Sequence, residues 1–373
     1  MTTTSRREQV RGLWRSFLAP EDAARHPLYA ALCERAQVDD ILVEPLLDIP
    51  EAQARPNLLL AALHDLALEE PEGELAVHYP SARHFALCGQ SADHPAIAPA
   101  PASSPPAGSD EEVVRWLAEN REIVGARMDG RSTQTNEVGR TAVLTAGLAA
   151  AVGDRPVALI DLGCSAGLNL RADHYRIERS DGITLGDPAS TVVVTTRASG
   201  SAMPTGMPPI AWRAGVDPAP QNVDDDVAVR WLLACQWPDD LDRFERSRRA
   251  MGLWRAATDR PLLVAATAVE GLESLFATLP ADLPVVVQHS WVAAYMDPTE
   301  QEALAGLLRA TMAERDLSWL SFEHPRAVHG LGHPLVPGER IPGSSVLVLE
   351  NRKDGARVLA QAHPHGTWID WQG

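Results

Sequence analysis

No stretch of the sequence stays apolar for the roughly eighteen residues a membrane-spanning helix needs. The charged, amphipathic start, MTTTSRREQVRGLWRSF, has no continuous apolar core. Neither export nor membrane anchoring is expected, and a cytoplasmic location is. Cysteine is scarce: Cys33, Cys88, Cys164 and Cys235 stand far apart and form no CxxC pair, which points to neither a disulfide framework nor a thiolate zinc site. Positive charge is in deficit. With 33 Lys and Arg against 50 Asp and Glu, the formal charge of −17 creates a field that repels phosphodiester backbones, so nucleic acid is not an expected partner. Phe (5) and Tyr (4) are outnumbered by 10 Trp, a skew that makes any Trp at a strand end a candidate for stacking on a planar ligand.

What is present is the composition of an ordinary globular protein, 45% hydrophobic and 22% charged, over 373 residues, enough for two structural units. Residues 1–135 read as a helical N-terminal cap domain. Apolar residues recur at three-to-four spacing through Leu13, Trp14, Phe17 and Leu18, and again from Leu58 to Leu68. The Pro- and Ala-rich segment near 92–108 reads as a linker, because proline lacks a donor and fixes φ. Ser109 and Glu112 then form an S-x-x-E capping signature that predicts a helix to about Arg127, with a second helix from Asn136 to Gly153. Further along, Arg243, Arg246, Arg248 and Arg249 alternate with Asp239, Asp240, Asp242 and Glu245, the pattern of a solvated helix face.

Residues 136–373 alternate short β-rich runs with helical stretches, the signature of an α/β domain with a mostly parallel sheet. Seven strands are predicted, at 157–162, 210–217, 262–267, 283–289, 317–323, 345–351 and 356–362. The Asp354-Gly355 turn joins the last two as a terminal antiparallel hairpin, so the seventh should run against the other six. A small β insertion is expected near 174–209.

The sharpest motif is IDLGCSAGLNL at 160–170: a buried strand ending in Asp161, a turn with Gly163, Ser165 and Gly167, then a helix start. Glycine there permits a tight reversal and lets a ligand approach bare backbone, while a helix N-terminus offers unpaired N–H groups. This motif resembles that of the class I S-adenosylmethionine-dependent methyltransferases. The resemblance implies a Rossmann-like seven-stranded sheet over 136–373, S-adenosyl-L-methionine as cofactor and methyl transfer to a small-molecule acceptor. The chain also resembles an uncharacterised bacterial family built on that core.

Carried over residue by residue, the resemblance implies that Asp161, Gly163, Ser165 and Gly167 bind cofactor and that Asp217, ending the second strand, holds the ribose hydroxyls. Thr267 stands where the family has an acidic residue near adenine. Gln288-His289-Ser290-Trp291 replaces the Asn/Asp-Pro-Pro motif of amino-methylating members. Ligands of open parallel sheets sit beyond the carboxyl ends of the strands, which makes His289 and Glu323 candidate bases and Ser290, Trp291, Tyr295 and His324 substrate-side candidates. Glu137 and Arg140 share a helix face before the first strand and reach either each other or the cofactor's amino-acid end. His363 and His365 in HPHG have a metal-ligand spacing, but an antiparallel seventh strand would put them at the edge opposite His289, so no metal site is expected. Two other readings stand beside methyl transfer: a non-catalytic binder of a nucleoside-containing ligand, and a serine hydrolase in which Gly163-Cys164-Ser165-Ala166-Gly167 is a G-x-S-x-G nucleophile elbow.

Overall fold

The computed structural model describes residues 3–51, 53–88, 105–334, 336 and 340–373. Most of the linker expected near 92–108 lies outside them. The chain forms two compact units, one taking in 1–135 together with 223–248, the other 136–222 together with 249–373. No helix among the described residues is long and apolar enough to cross a membrane.

The first unit is helical. Its centre is the helix Pro56–Glu69, buried nearly end to end, because PNLLLAALHDLALE is apolar on every side rather than along one stripe. The two polar residues inside it are both satisfied. His64 contacts Ser81 Oγ at 2.6 Å and the carbonyls of Ala234 and Gln236, while Asp65 pairs with Arg127 and, at 3.1 Å, with Arg230. The predicted capping box at Ser109 does not form. Gly108 is the N-cap, and the Ser109 hydroxyl donates to the Pro106 carbonyl and meets His78 Nδ1, so the helix Ser109–Glu119 starts without it and ends at Asn120, before a second helix Arg121–Met128. The Arg-rich stretch, expected on a solvated face, lies on the helix Leu241–Ala256 with Arg243, Glu245, Ser247 and Arg248 all buried. Charge alternation marks a solvated face only where nothing packs on it, and here Arg248 pairs with the buried Glu245 instead.

The second unit is α/β. Its strands are β1 (Val157–Leu162), β2 (Arg176–Arg179), β3 (Thr184–Gly186), β4 (Val193–Gly200), β5 (Ile210–Asp217), β6 (Leu262–Ala265), β7 (Val285–Ser290), β8 (Leu317–Glu323), β9 (Ser345–Asn351), β10 (Gly355–Ala362) and β11 (Trp368–Trp371). They form one mixed sheet of 11 strands in the order β3-β2-β4-β11-β10-β9-β8-β7-β1-β5-β6. Every residue of β1, β7 and β8 is buried, as expected of central strands covered on both faces. One face carries Ile160, Val287 and Trp319 against the helices Ala268–Phe276 and Pro298–Glu314, the second of which opens with an Asp297/Glu300 capping box. The helix Thr141–Val152 packs on β8 through Gly147, where an added Cβ would meet Leu320 at 2.6 Å.

Two expectations about the sheet are overturned. It has 11 strands rather than seven, because β2, β3, β4 and β11 extend it beyond β10. The direction of the last strands is also reversed. β9, the predicted sixth strand, runs antiparallel to β8, and β10 runs antiparallel to β9 and so parallel to β7 and β8. A parallel sixth strand needs a crossover that carries the chain back along the sheet. The only helix described between β8 and β9 is Pro325–Gly330, six residues with about 9 Å of rise, and the chain re-enters the sheet from the edge it left.

Asp65 makes the first unit sensitive to a single atom change. Asp65→Asn leaves Arg127, Arg131 and Arg230 without their buried carboxylate, and is expected to cost the helical unit about 3 kcal/mol in urea unfolding; an unchanged midpoint would show that the pairings contribute nothing.

Candidate functional site

Strand order reverses between β1 and β7: among the five parallel strands, chain order runs from β1 to β5 and β6 on one side, then to β7 and β8 on the other, with β2 to β4 at the far edge of the sheet. Loops leaving β1 and β7 therefore part in opposite directions at their carboxyl ends, which is where open sheets hold ligands. Most of the residues singled out in the sequence lie at this edge.

Asp161 and Gln288 are register partners on β1 and β7, and Gln288 Nε2 donates to Asp161 Oδ1 at 3.2 Å. Burial pushes the Asp161 carboxyl up to about 7; the Gln288 hydrogen bond opposes the rise and the charge of Asp217 adds to it. Beyond Asp161 the turn is pinned by main-chain bonds: Gly163 N and Cys164 N both donate to the Val216 carbonyl, and Gly167 N donates to Cys164 O. Asp217, at the end of β5, accepts from Ser165 N through Oδ2 at 2.9 Å and from Ala219 N through Oδ1 at 2.8 Å. Ser165 is held at φ 51, a left-handed conformation uncommon for a residue with a side chain.

The turn departs from expectation in two respects. It leads into a seven-residue 3-10 stretch, Leu168–His174, kinked at Arg171, rather than into an α-helix, so no helix N-terminus faces the edge. The space beside Gly163 is also not open. A Cβ there would meet Val292 Cγ2 at 2.3 Å, so this glycine makes room for the protein's own side chain.

His289 and Glu323, the candidate bases, are both fully buried. Glu323 Oε1 receives His289 Nδ1 at 2.7 Å, Val292 N at 2.7 Å and Ala293 N at 3.0 Å, while Trp319 Nε1 donates to His289 Nε2 at 2.9 Å. With one ring nitrogen facing a carboxylate and the other accepting from an indole, His289 has no lone pair to offer a substrate. The pair braces the loop after β7. Immediately past it, Trp291 is another non-glycine residue held left-handed, at φ 58, with its N–H donating to Phe322 O and its indole donating to Ser345 Oγ at 2.9 Å. Three non-glycine residues have positive φ among those described, and Ser165 and Trp291 end adjacent strands of this one edge.

The reversed direction of β10 brings the HPHG segment to the edge where Ser290 lies, not the opposite one. Arg140 Nε donates to Pro364 O at 3.0 Å, and its NH1 to Ser290 O at 3.1 Å; Glu137 accepts from Gly139 N through Oε1, with Oε2 3.2 Å from His365 Nδ1. Gly366, at φ 75, is required here, because a Cβ would lie 2.1 Å from the Gly139 carbonyl. Glu137 and Arg140, both buried, thus clasp the same turn.

Of the remaining candidates, His324 caps Pro325–Gly330 and meets the Trp291 ring edge-on at 6.1 Å, Thr267 caps the helix after β6 and donates to Glu270 Oε2 at 2.8 Å, and Tyr295 is 74% exposed. Sequence reasoning passed over Gln288, Ser345 and Asn136, whose Nδ2 donates to Cys164 O at 3.3 Å. Gln288 had a readable signal, a polar residue at the end of an apolar strand, whereas Ser345 depends on the direction of β9.

The chain belongs to the family described as uncharacterized protein conserved in bacteria (DUF2332), which matches residues 13–371. No curated protein and no solved structure matches it.

Asp161 yields a pH test. Its folded pKa lies above the ordinary 3.8, so the folded state holds this proton more tightly than the unfolded chain does. Its contribution to stability is fully present below the unfolded value, falls as pH rises toward about 7 and is flat above. The difference between wild-type and Asp161→Asn stabilities should therefore slope across that window; parallel profiles would refute the elevated pKa.

Proposed function

We propose that this edge binds S-adenosyl-L-methionine and serves methyl transfer to a small-molecule acceptor. The observation that carries the reading is the order of the five parallel strands, β6-β5-β1-β7-β8, which is third, second, first, fourth, fifth in chain order. That order supports a Rossmann-like core, with the Gly163–Gly167 turn and two carboxylates, Asp161 and Asp217, on the side of its reversal point.

The donor set fits such a ligand on two counts. Each oxygen of Asp217 is used once by the backbone and keeps a second lone pair, which suits vicinal ribose hydroxyls. Asp161, poised near neutrality, would ionise beside a cationic sulfonium or ammonium group, which stabilises its charged form. The cofactor would supply an electrophilic methyl group; the chain would supply orientation and exclusion of water. Asp217 would fix the ribose, and Arg140 would hold the Ser290 backbone and the His363–Gly366 turn in register. His289 and Glu323 act as positioning residues, since the Glu323 carboxylate gathers the backbone N–H groups that follow Trp291.

One observation favours a second reading. Ser165 occupies the apex of a G-x-S-x-G sequence with the strained positive φ that a nucleophile elbow requires. The full engagement of His289 weighs against it, because the imidazole on the adjacent strand cannot take the serine proton.

Calorimetric titration of the full chain with S-adenosyl-L-methionine and with its demethylated product is expected to show binding of both. Asp217→Asn should weaken it by about 1 to 3 kcal/mol, roughly 5- to 150-fold, because a carboxamide keeps one acceptor oxygen where the carboxylate has two. Absence of binding together with stoichiometric fluorophosphonate labelling of Ser165 would replace this reading with the hydrolase.

A further inference from the structure

Outside the edge just described, one buried cluster brings together three side chains of metal-ligating type. His84 and Cys88 lie one turn apart on the helix Pro80–Cys88, and Glu245 lies on the helix Leu241–Ala256, all within the helical unit and all buried. One ligand atom from each lies within 4.8 Å of the other two.

The distances distinguish a metal site from a hydrogen-bonded cluster. His84 Nε2 is 3.4 Å from Cys88 Sγ and 3.3 Å from Glu245 Oε2. Cys88 Sγ also lies 4.0 Å from His84 Nδ1. An ion held between the three ligand atoms would replace these contacts with bonds to the metal. Zinc bond lengths and a tetrahedral angle imply about 3.6 Å between sulfur and nitrogen and about 3.3 Å between nitrogen and oxygen. The observed separations lie close to both values.

The surroundings suit such an ion. Arg248 grips Glu245 with Nε on Oε2 at 2.7 Å and NH2 on Oε1 at 2.8 Å, fixing the carboxylate plane as outer-shell partners do. Phe244 presents an edge to the His84 ring at 6.4 Å, which limits its rotation. One thiolate and one carboxylate would neutralise a divalent ion, and Arg248 adds one positive charge beside them. Three protein donors leave a fourth position for water.

We propose that His84, Cys88 and Glu245 form a binding site for a divalent transition metal, with zinc favoured by the mixed sulfur, nitrogen and oxygen donors. The proposal is independent of what the α/β unit binds. It is tested by stripping the full-length protein with a chelator and titrating it with cobalt(II), which reports thiolate coordination in its absorption. One equivalent is expected, with a sulfur-to-cobalt charge-transfer band and tetrahedral d–d intensity, both displaced by zinc. Cys88→Ser should abolish the band, and Glu245→Gln should weaken binding by about tenfold or more. A wild-type spectrum without the band overturns the proposal whether or not the variants fold. A band that persists in Cys88→Ser also overturns it, because it would place the thiolate at Cys33, Cys164 or Cys235.

Discussion

The carboxylate of Asp217 is the fixed point of the α/β unit's candidate site edge. It ends β5, yet one of its oxygens holds Ser165 in the turn after β1, so the loops of two adjacent strands share a single anchor. A left-handed residue with a side chain costs on the order of 1 kcal/mol or more. A hydrogen bond to a charged acceptor contributes about 1.5 to 3 kcal/mol, enough to hold that conformation. Glu323 has the same part on the other side of the reversal point, where one oxygen collects His289 and two backbone N–H groups just beyond left-handed Trp291. Two strained turns on neighbouring strands, each clamped by a buried carboxylate, are an arrangement that packing alone does not require.

How much of this was legible depends on the range over which each interaction acts. The seven predicted strands are strands because VALIDL, VVVQH and LSWLSFE are apolar on both faces, a property local to each segment. The direction of β9 was not legible, because it depends on whether 324–344 crosses the sheet, and a loop's path is not written in its composition. That one reversal moved His363 and His365 across the sheet and put them in the turn that Glu137 and Arg140 brace. β2, β3 and β4 lie within the β insertion expected near 174–209, but their joining the main sheet was not legible, because it depends on β11, four residues long, pairing with β4 across about 170 positions of chain.

The site residues divide along the same line. Asp161 and Ser165 were legible because a strand end followed by glycine is a short-range pattern, and Asp217 because it ends a predicted strand where the resemblance places an acidic residue. The role of His289 was not, since it is set by Glu323 and Trp319, which lie 34 and 30 residues away in sequence on the adjacent strand. A histidine at a strand end reads as a base until its partners are known.

His289 and His84 show how differently a buried imidazole can be resolved. His289 divides its partners between two nitrogens: Nδ1 donates to a carboxylate and Nε2 accepts from an indole, so proton and lone pair each have one use and nothing is left over. His84 places Nε2 within 3.4 Å of both a thiol sulfur and a carboxylate oxygen. The first arrangement is complete as protein alone and argues for a structural brace. The second gathers three donor types that a divalent metal binds. Its components were invisible in the sequence, because Glu245 sits among arginines that read as a solvated face and the His84–Cys88 spacing matches no thiolate zinc motif.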